Sequence, residues 1–424
     1  MSNYPCFSTG SLEQLQLGLH SAHRKLRADA IFRFDGHQQS RYFPRPMHRE
    51  WQINPSSLVA ALIFLGILGR LIELVLPVFV AAAGRDLSFS NDTLGIIAGA
   101  ELIGTVVFSL FCAKSLSLLG ARTLACIGVV CLTLGNFLTG LAHGAGSLIG
   151  LRFLAGLLGE GPLLVVAVTL LGQQKNASRV YALFMGSQMI IGGLALALLG
   201  WIDSFAGFRG VSFSMTALTI AGLAAALLTP SQKSTAKAEP PLDRMFQTDV
   251  ATLVLIGMAS FHISVAAAWT FMQQKGAFIG LDEAASGALL AIMLSGGLFG
   301  AAYVALLQTG RVWVLISCAT LALSATAALL TNSPVVYAIA GTCLMISWNI
   351  AVPHQIAQLG EDIGAKRRLA LVPGAQGLGL AAGPVLAGHI SAPGQYTGVA
   401  CLVALSLAVA YFCFWMGYKS VRGD

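Results

Sequence analysis

The chain has 424 residues, 56% of them hydrophobic and only 10% charged, with a mean hydropathy of +0.76. A soluble domain carries roughly a quarter charged residues, so a water-soluble globule is excluded. The formal charge of +7 would suit nucleic acid, but its distribution along the chain assigns it to membrane topology.

Residues 1–56 are polar and of mixed charge, with none of the apolar run of a signal peptide. They read as a cytoplasmic tail of low order. Met47, followed by a short polar lead, is compatible with a later start, which would leave residues 1–46 outside the native protein. From Leu58 onward, apolar runs of about 20 residues follow one another, the length of a membrane-crossing helix rather than the roughly 10 alternating residues of a barrel strand. They fall at 58–83, 92–113, 122–141, 147–171, 179–200, 210–229, 249–272, 284–306, 311–331, 334–356, 368–389 and 397–417. The fold class expected is therefore an all-α integral membrane protein with twelve transmembrane helices. A polar linker at 230–247 divides them into six-helix bundles at 57–229 and 248–418, and residues 419–424 form a short tail.

Lys and Arg set the orientation. Twenty of them flank the spans on the side that carries both termini, against three, Arg85, Arg209 and Lys275, on the other. Both termini are expected in the cytoplasm, in a bacterial-type inner membrane. The run Lys366-Arg367-Arg368 reads as a topology anchor. Seven cysteines lie in or beside apolar spans without CxxC or Cys/His spacing and read as small hydrophobes, so neither a metal nor a cofactor is implied.

Span five opens Arg179-x-x-Ala182-Leu183-x-x-Gly186-x-Gln188, and span eleven opens Arg367-x-x-Ala370-Leu371-x-x-Gly374-x-Gln376. Matches at equivalent places in the two halves suggest a duplicated six-helix unit.

Twelve spans, a central linker and this repeat resemble the major facilitator superfamily. Arg152-Phe-Leu-Ala-Gly156-Leu-Leu-Gly159-Glu160-Gly161 is similar to that family's fourth-helix motif, Phe208-Arg209 to its turn before helix six, and Gly379 to Gly388 to its eleventh helix. The resemblance covers residues 57–418. It implies two pseudo-symmetric bundles that rock around a midplane site, with helices 1, 4, 7 and 10 at the cavity and 3, 6, 9 and 12 toward lipid. Two features depart from the family. Its loop between helices two and three carries an Asp that helps latch the cytoplasmic side; here the loop has Lys114, Gly120 and Arg122, but Ser117 replaces the Asp. Drug antiporters of the family carry a proline in helix five, and span five has none.

Five charges lie inside otherwise apolar spans: Arg70, Glu73, Glu101, Arg152 and Glu160. Charges at bilayer depth are kept when they pair or line a wet cavity. Two cations and three carboxylates leave one carboxylate over. At 1.5 Å per residue all three carboxylates fall near the midplane, where transporter sites lie. Arg70 and Glu73 share a helix face. Arg152 lies roughly 12 Å along the axis from Glu160 and needs a partner on another helix. The bland reading is an ion network holding spans one, two and four together. The functional one is a proton-coupling carboxylate, since a carboxylate taken from water without a full partner retains its proton more readily. Glu73 is ranked first, then Glu160, then Glu101, because Pro77 frees the Glu73 carbonyl.

Gln188, His262, Trp269, Trp348, Asn349 and Gln376 are neutral candidates for solute contact, each with a competing packing role. The expectation is a proton-coupled secondary transporter of a small organic solute, working as a monomer, with no nucleic-acid partner and no enzymatic activity. Coupling is assigned to the first bundle and solute shaping to the second. Competing readings are a drug or metabolite efflux antiporter, a transporter-like sensor, and a membrane enzyme using His354 and Glu361-Asp362.

Overall fold

A computed structural model describes residues 55–231, 233, 250–307, 312–360, 371–392 and 394–422. The tail to residue 54, the linker from 234, Arg311, Glu361-Asp362 and the Lys366-Arg367-Arg368 run lie outside them.

Ten helices among the described residues are long and apolar enough to cross a membrane. One of them, Arg179–Leu228, turns a corner at Gly207 and supplies spans five and six. Val372–Ile390, made less apolar by its glycines, Gln376 and His389, is span eleven. With these two, the helices amount to the expected twelve. Span one is Ser56–Leu87, two Asn91–Ser109, three Ala121–Leu141 and four Ala145–Gly172; seven is Ala251–Phe278, eight Glu283–Leu306, nine Val312–Leu330, ten Pro334–Leu359 and twelve Thr397–Tyr418. The end of the bundle where residue 55 begins is here the tail side, and the opposite end the far side.

The expected connector between spans five and six is not a loop. Helix runs to the corner, where Gly207 takes φ 60°, and resumes at once. A left-handed residue there favours glycine, and a Cβ on it would also strike the Asp86 carboxylate. That carboxylate accepts the Phe208 N–H at 2.7 Å, so the end of span one caps the start of span six.

The two sets of six meet where span two lies on span eleven and span five on span eight. Shifting by six spans turns one of these contacts into the other, which is what the sequence repeat implies. Small residues let the backbones approach: a Cβ on Gly200 or on Gly287 would sit 2.8 Å from the other's Cα. Lipid tails are as apolar as leucine, so such close contact and van der Waals packing, not water exclusion, hold helices together here. Spans three, nine and twelve expose Val130, Leu134, Leu323, Leu405 and Phe412, and span ten exposes Val335 and Ile339. Span one is the most buried of the candidate spans, at 78%.

Candidate functional site

Span one is broken at mid-depth. Helix Pro55–Leu68 stops, Arg70 leaves helical geometry (φ −131°, ψ 13°), and helix restarts as Leu71–Leu87. The break is pressed against span four. A Cβ on Gly69 would lie 2.6 Å from the Leu164 nitrogen and 2.9 Å from the Glu160 carbonyl oxygen, so only glycine fits. Span four answers with an irregularity of its own, a π-helical stretch over Ala155–Glu160. Such bulges disturb the regular backbone ladder and often mark functional sites.

The five intramembrane charges sort themselves around these two defects. Arg70 Nη2 meets Glu73 Oε1 at 2.6 Å, the pair expected from their spacing, with the arginine side chain 30% exposed and the glutamate 10%. Arg152 is sealed from solvent and forms a two-pronged ion pair with Glu101 of span two, Nε to Oε2 at 2.7 Å and Nη2 to Oε1. Its Nη1 donates to Asn136 Oδ1 of span three at 2.8 Å, and its guanidinium lies 5.1 Å from the Phe79 ring centre. This network ties spans one to four together. Glu160 is the carboxylate left without a cation among these contacts. Its Oε1 accepts the Ile72 N–H at 3.0 Å, so it caps the restarted half of span one from the neighbouring helix.

Pro77 carries no N–H, so it leaves the Glu73 carbonyl without its helical donor. Trp269 of span seven, buried, donates its indole N–H to that oxygen at 3.1 Å. Trp269 therefore meets span one edge-on through a hydrogen bond and does not stand at the lipid interface.

The other neutral candidates are scattered. His262 Nδ1 bonds the Met258 carbonyl one turn back at 2.8 Å. Asn349 donates to the Met345 carbonyl at 3.0 Å and approaches Met189 of span five. Gln188 reaches only the Met185 sulfur of its own turn. Gln376 has a buried amide nitrogen with no hydrogen-bond partner among the described residues, and Trp348 is half-buried against the core. His354 Nδ1 bonds the Ile350 carbonyl. In the loop between spans two and three, Ser117 folds onto the Lys114 carbonyl, and beyond Gly120 Arg122 donates to the Thr229 carbonyl at the end of span six at 2.7 Å.

Two features had no place in the sequence reading. Arg85, on the far side, holds Asp86, Asp203 of span five and Glu283 of span eight at 2.8, 2.6 and 3.0 Å. Its signal was visible as one of only three far-side cations, beside carboxylates distant in sequence. Asn136 was a lone amide in an apolar span. The Arg85–Glu283 contact joins the two sets of six spans, as does His389 to Asp92 at 3.0 Å. Toward the tail side, a cavity of about 580 Å³ opens between spans one and five, lined by Ser56, Val59, Ile63, Phe64, Leu183 and Ser187.

Twelve apolar helices in two equivalent sets, with ionisable groups gathered around backbone breaks at mid-depth, define a helical membrane carrier. The sequence profile of the Major Facilitator Superfamily matches residues 59–368, and the chain belongs to that family. Among solved structures, a point mutant of the nucleoside transporter NupG superposes with a TM-score of 0.71 at 14% identity, covering 85% of this chain and all of that one. A bacterial homologue of the human lysosomal transporter Spinster, inward-facing and unoccupied, gives 0.60 at 14% identity, over 87% of this chain and 96% of the other. At such identity these likenesses establish the fold. No curated protein sequence matches the chain.

Proposed function

We propose that this carrier is a proton-coupled secondary transporter of a small organic solute, with Glu160 as the coupling carboxylate. It alternates between faces by rocking of the bundles 57–229 and 248–418 in an inner membrane. The Lys and Arg asymmetry supports a cytoplasmic tail side that carries both termini. The observation that carries the reading is the way the charges pair. Glu73 has Arg70, Glu101 has Arg152, and Glu160 has a backbone N–H. The first rank therefore moves from Glu73 to Glu160. Arg70, the more exposed member of its pair, is the cation available to a solute.

The test is proton movement in proteoliposomes containing a trapped pH dye, with a panel of solutes added outside. Nucleosides belong in the panel because a nucleoside transporter shares the fold. Glu160→Gln should still move solute down its gradient but no longer carry protons with it, while Glu73→Gln should retain coupled movement with weakened solute affinity. Coupled movement of wild-type extent in Glu160→Gln would remove Glu160 from the role.

A further inference from the structure

We infer that Pro77 and Trp269 are a positioning unit for this site: the proline exposes the Glu73 carbonyl, and the indole uses it to tie span seven, and with it the far-side contacts between the two sets, to the Arg70–Glu73 pair. Three observations converge on one residue. Glu73 is held by its side chain to Arg70 at 2.6 Å and by its carbonyl to Trp269 at 3.1 Å. The carbonyl is free to accept because residue 77 lacks an N–H. The indole comes from span seven, in the other set of six, and crosses to span one where both are buried.

The polar contacts between the two sets, among the described residues, place this bond in context. Arg85–Glu283 and His389–Asp92 lie at the far surface, exposed and open to water. Asn349 approaches Met189 only at 4.0 Å. The Trp269 bond is the buried one and the one made by a residue of the charged site. An unmade buried acceptor costs more than an exposed one, so opening the far side requires this bond to be exchanged rather than simply lost. A solute that draws Arg70 from Glu73 acts on the same residue that anchors span seven. The inference rests on the transporter reading for the meaning of that movement, but the bond itself can be tested without solute or protons.

The test is a double-mutant cycle on the full chain in lipid nanodiscs. Native cysteines are replaced, and spin labels are placed at Gly146→Cys and Asn332→Cys. Gly146 has nothing within 4 Å of its Cβ direction, and Asn332 is exposed. Both flank the far side, in different sets. Trp269→Phe should raise the ratio of wide to narrow label distances about fivefold, the size of one buried hydrogen bond. Pro77→Ala, which supplies a helical donor to the Glu73 carbonyl and straightens the helix, should shift the ratio in the same direction. The double variant should shift no further than the larger single. It should also unfold at a higher temperature than Trp269→Phe alone, because the backbone N–H restored at position 77 then satisfies the carbonyl. An unchanged distance distribution in Trp269→Phe, or fully additive shifts, overturns the inference. Trp269→His retains a ring N–H and should hold the ratio nearer wild type; a shift equal to that of phenylalanine also counts against it.

Discussion

Removing Arg152 tests whether the deepest ion pair is scaffold or machinery. Arg152→Met leaves the Glu101 carboxylate buried without its cation, and leaves Asn136 Oδ1 without its donor. Stripping one partner from a buried pair costs about 3–5 kcal/mol, whereas replacing both partners with apolar groups of similar volume is often neutral or favourable. Arg152→Met should therefore unfold well below wild type in detergent, by about 3–5 kcal/mol if the pair follows that pattern. Arg152→Met with Glu101→Leu should recover most of the loss. The cycle is read from thermal and denaturant unfolding, with solute binding measured on the double variant at a temperature where it is folded. If the single change costs less than about 1 kcal/mol, or the two losses simply add, the pair is not the structural tie described here. If the folded double variant binds no solute, Arg152 belongs to the site instead.

Gly69→Ala should destabilise by about 1–3 kcal/mol, because the added methyl meets span-four backbone rather than a yielding side chain; fluorescence-detected gel filtration after a heat step measures it. Arg85→Ala removes the hub for Asp86, Asp203 and Glu283 at once and leaves three carboxylates facing one another. It should widen the far-side label distances, and more so at low ionic strength, where exposed charges are least screened. No salt dependence would mean that the cluster plays no part in closure.

The spans were legible in the sequence because hydrocarbon thickness fixes their length, and the Arg70–Glu73 pair because a helix fixes which residues share a face. The demand that Arg152 find a partner on another helix was legible for the same geometric reason. So was the free Glu73 carbonyl, though not the Trp269 indole that fills it, since nothing local links positions 73 and 269. The break at Gly69 was hidden inside an unbroken apolar run. Hydropathy has no sensitivity to backbone geometry, and neither the break nor the π-helical turn opposite it alters composition. The partner of Glu160 was hidden for the same reason: it is the Ile72 N–H, left without a helical acceptor where span one stops and restarts. The corner at Gly207 fell in the gap expected between spans 179–200 and 210–229, whereas the Asp86 cap lets the helix turn without a loop.

The far-side connections are brief: residues 88–90, 142–144, 279–282, 331–333 and the few residues between Ile390 and Thr397, with the Gly207 corner in place of a sixth. Such a face gives a protease no slack strand to draw into its cleft and gives an antibody little relief to grip. Protease presented to that side of reconstituted proteoliposomes should leave the chain whole. A tag or epitope inserted at 203–209 would have to break a capped helix corner, and would be expected to halt biogenesis rather than report topology.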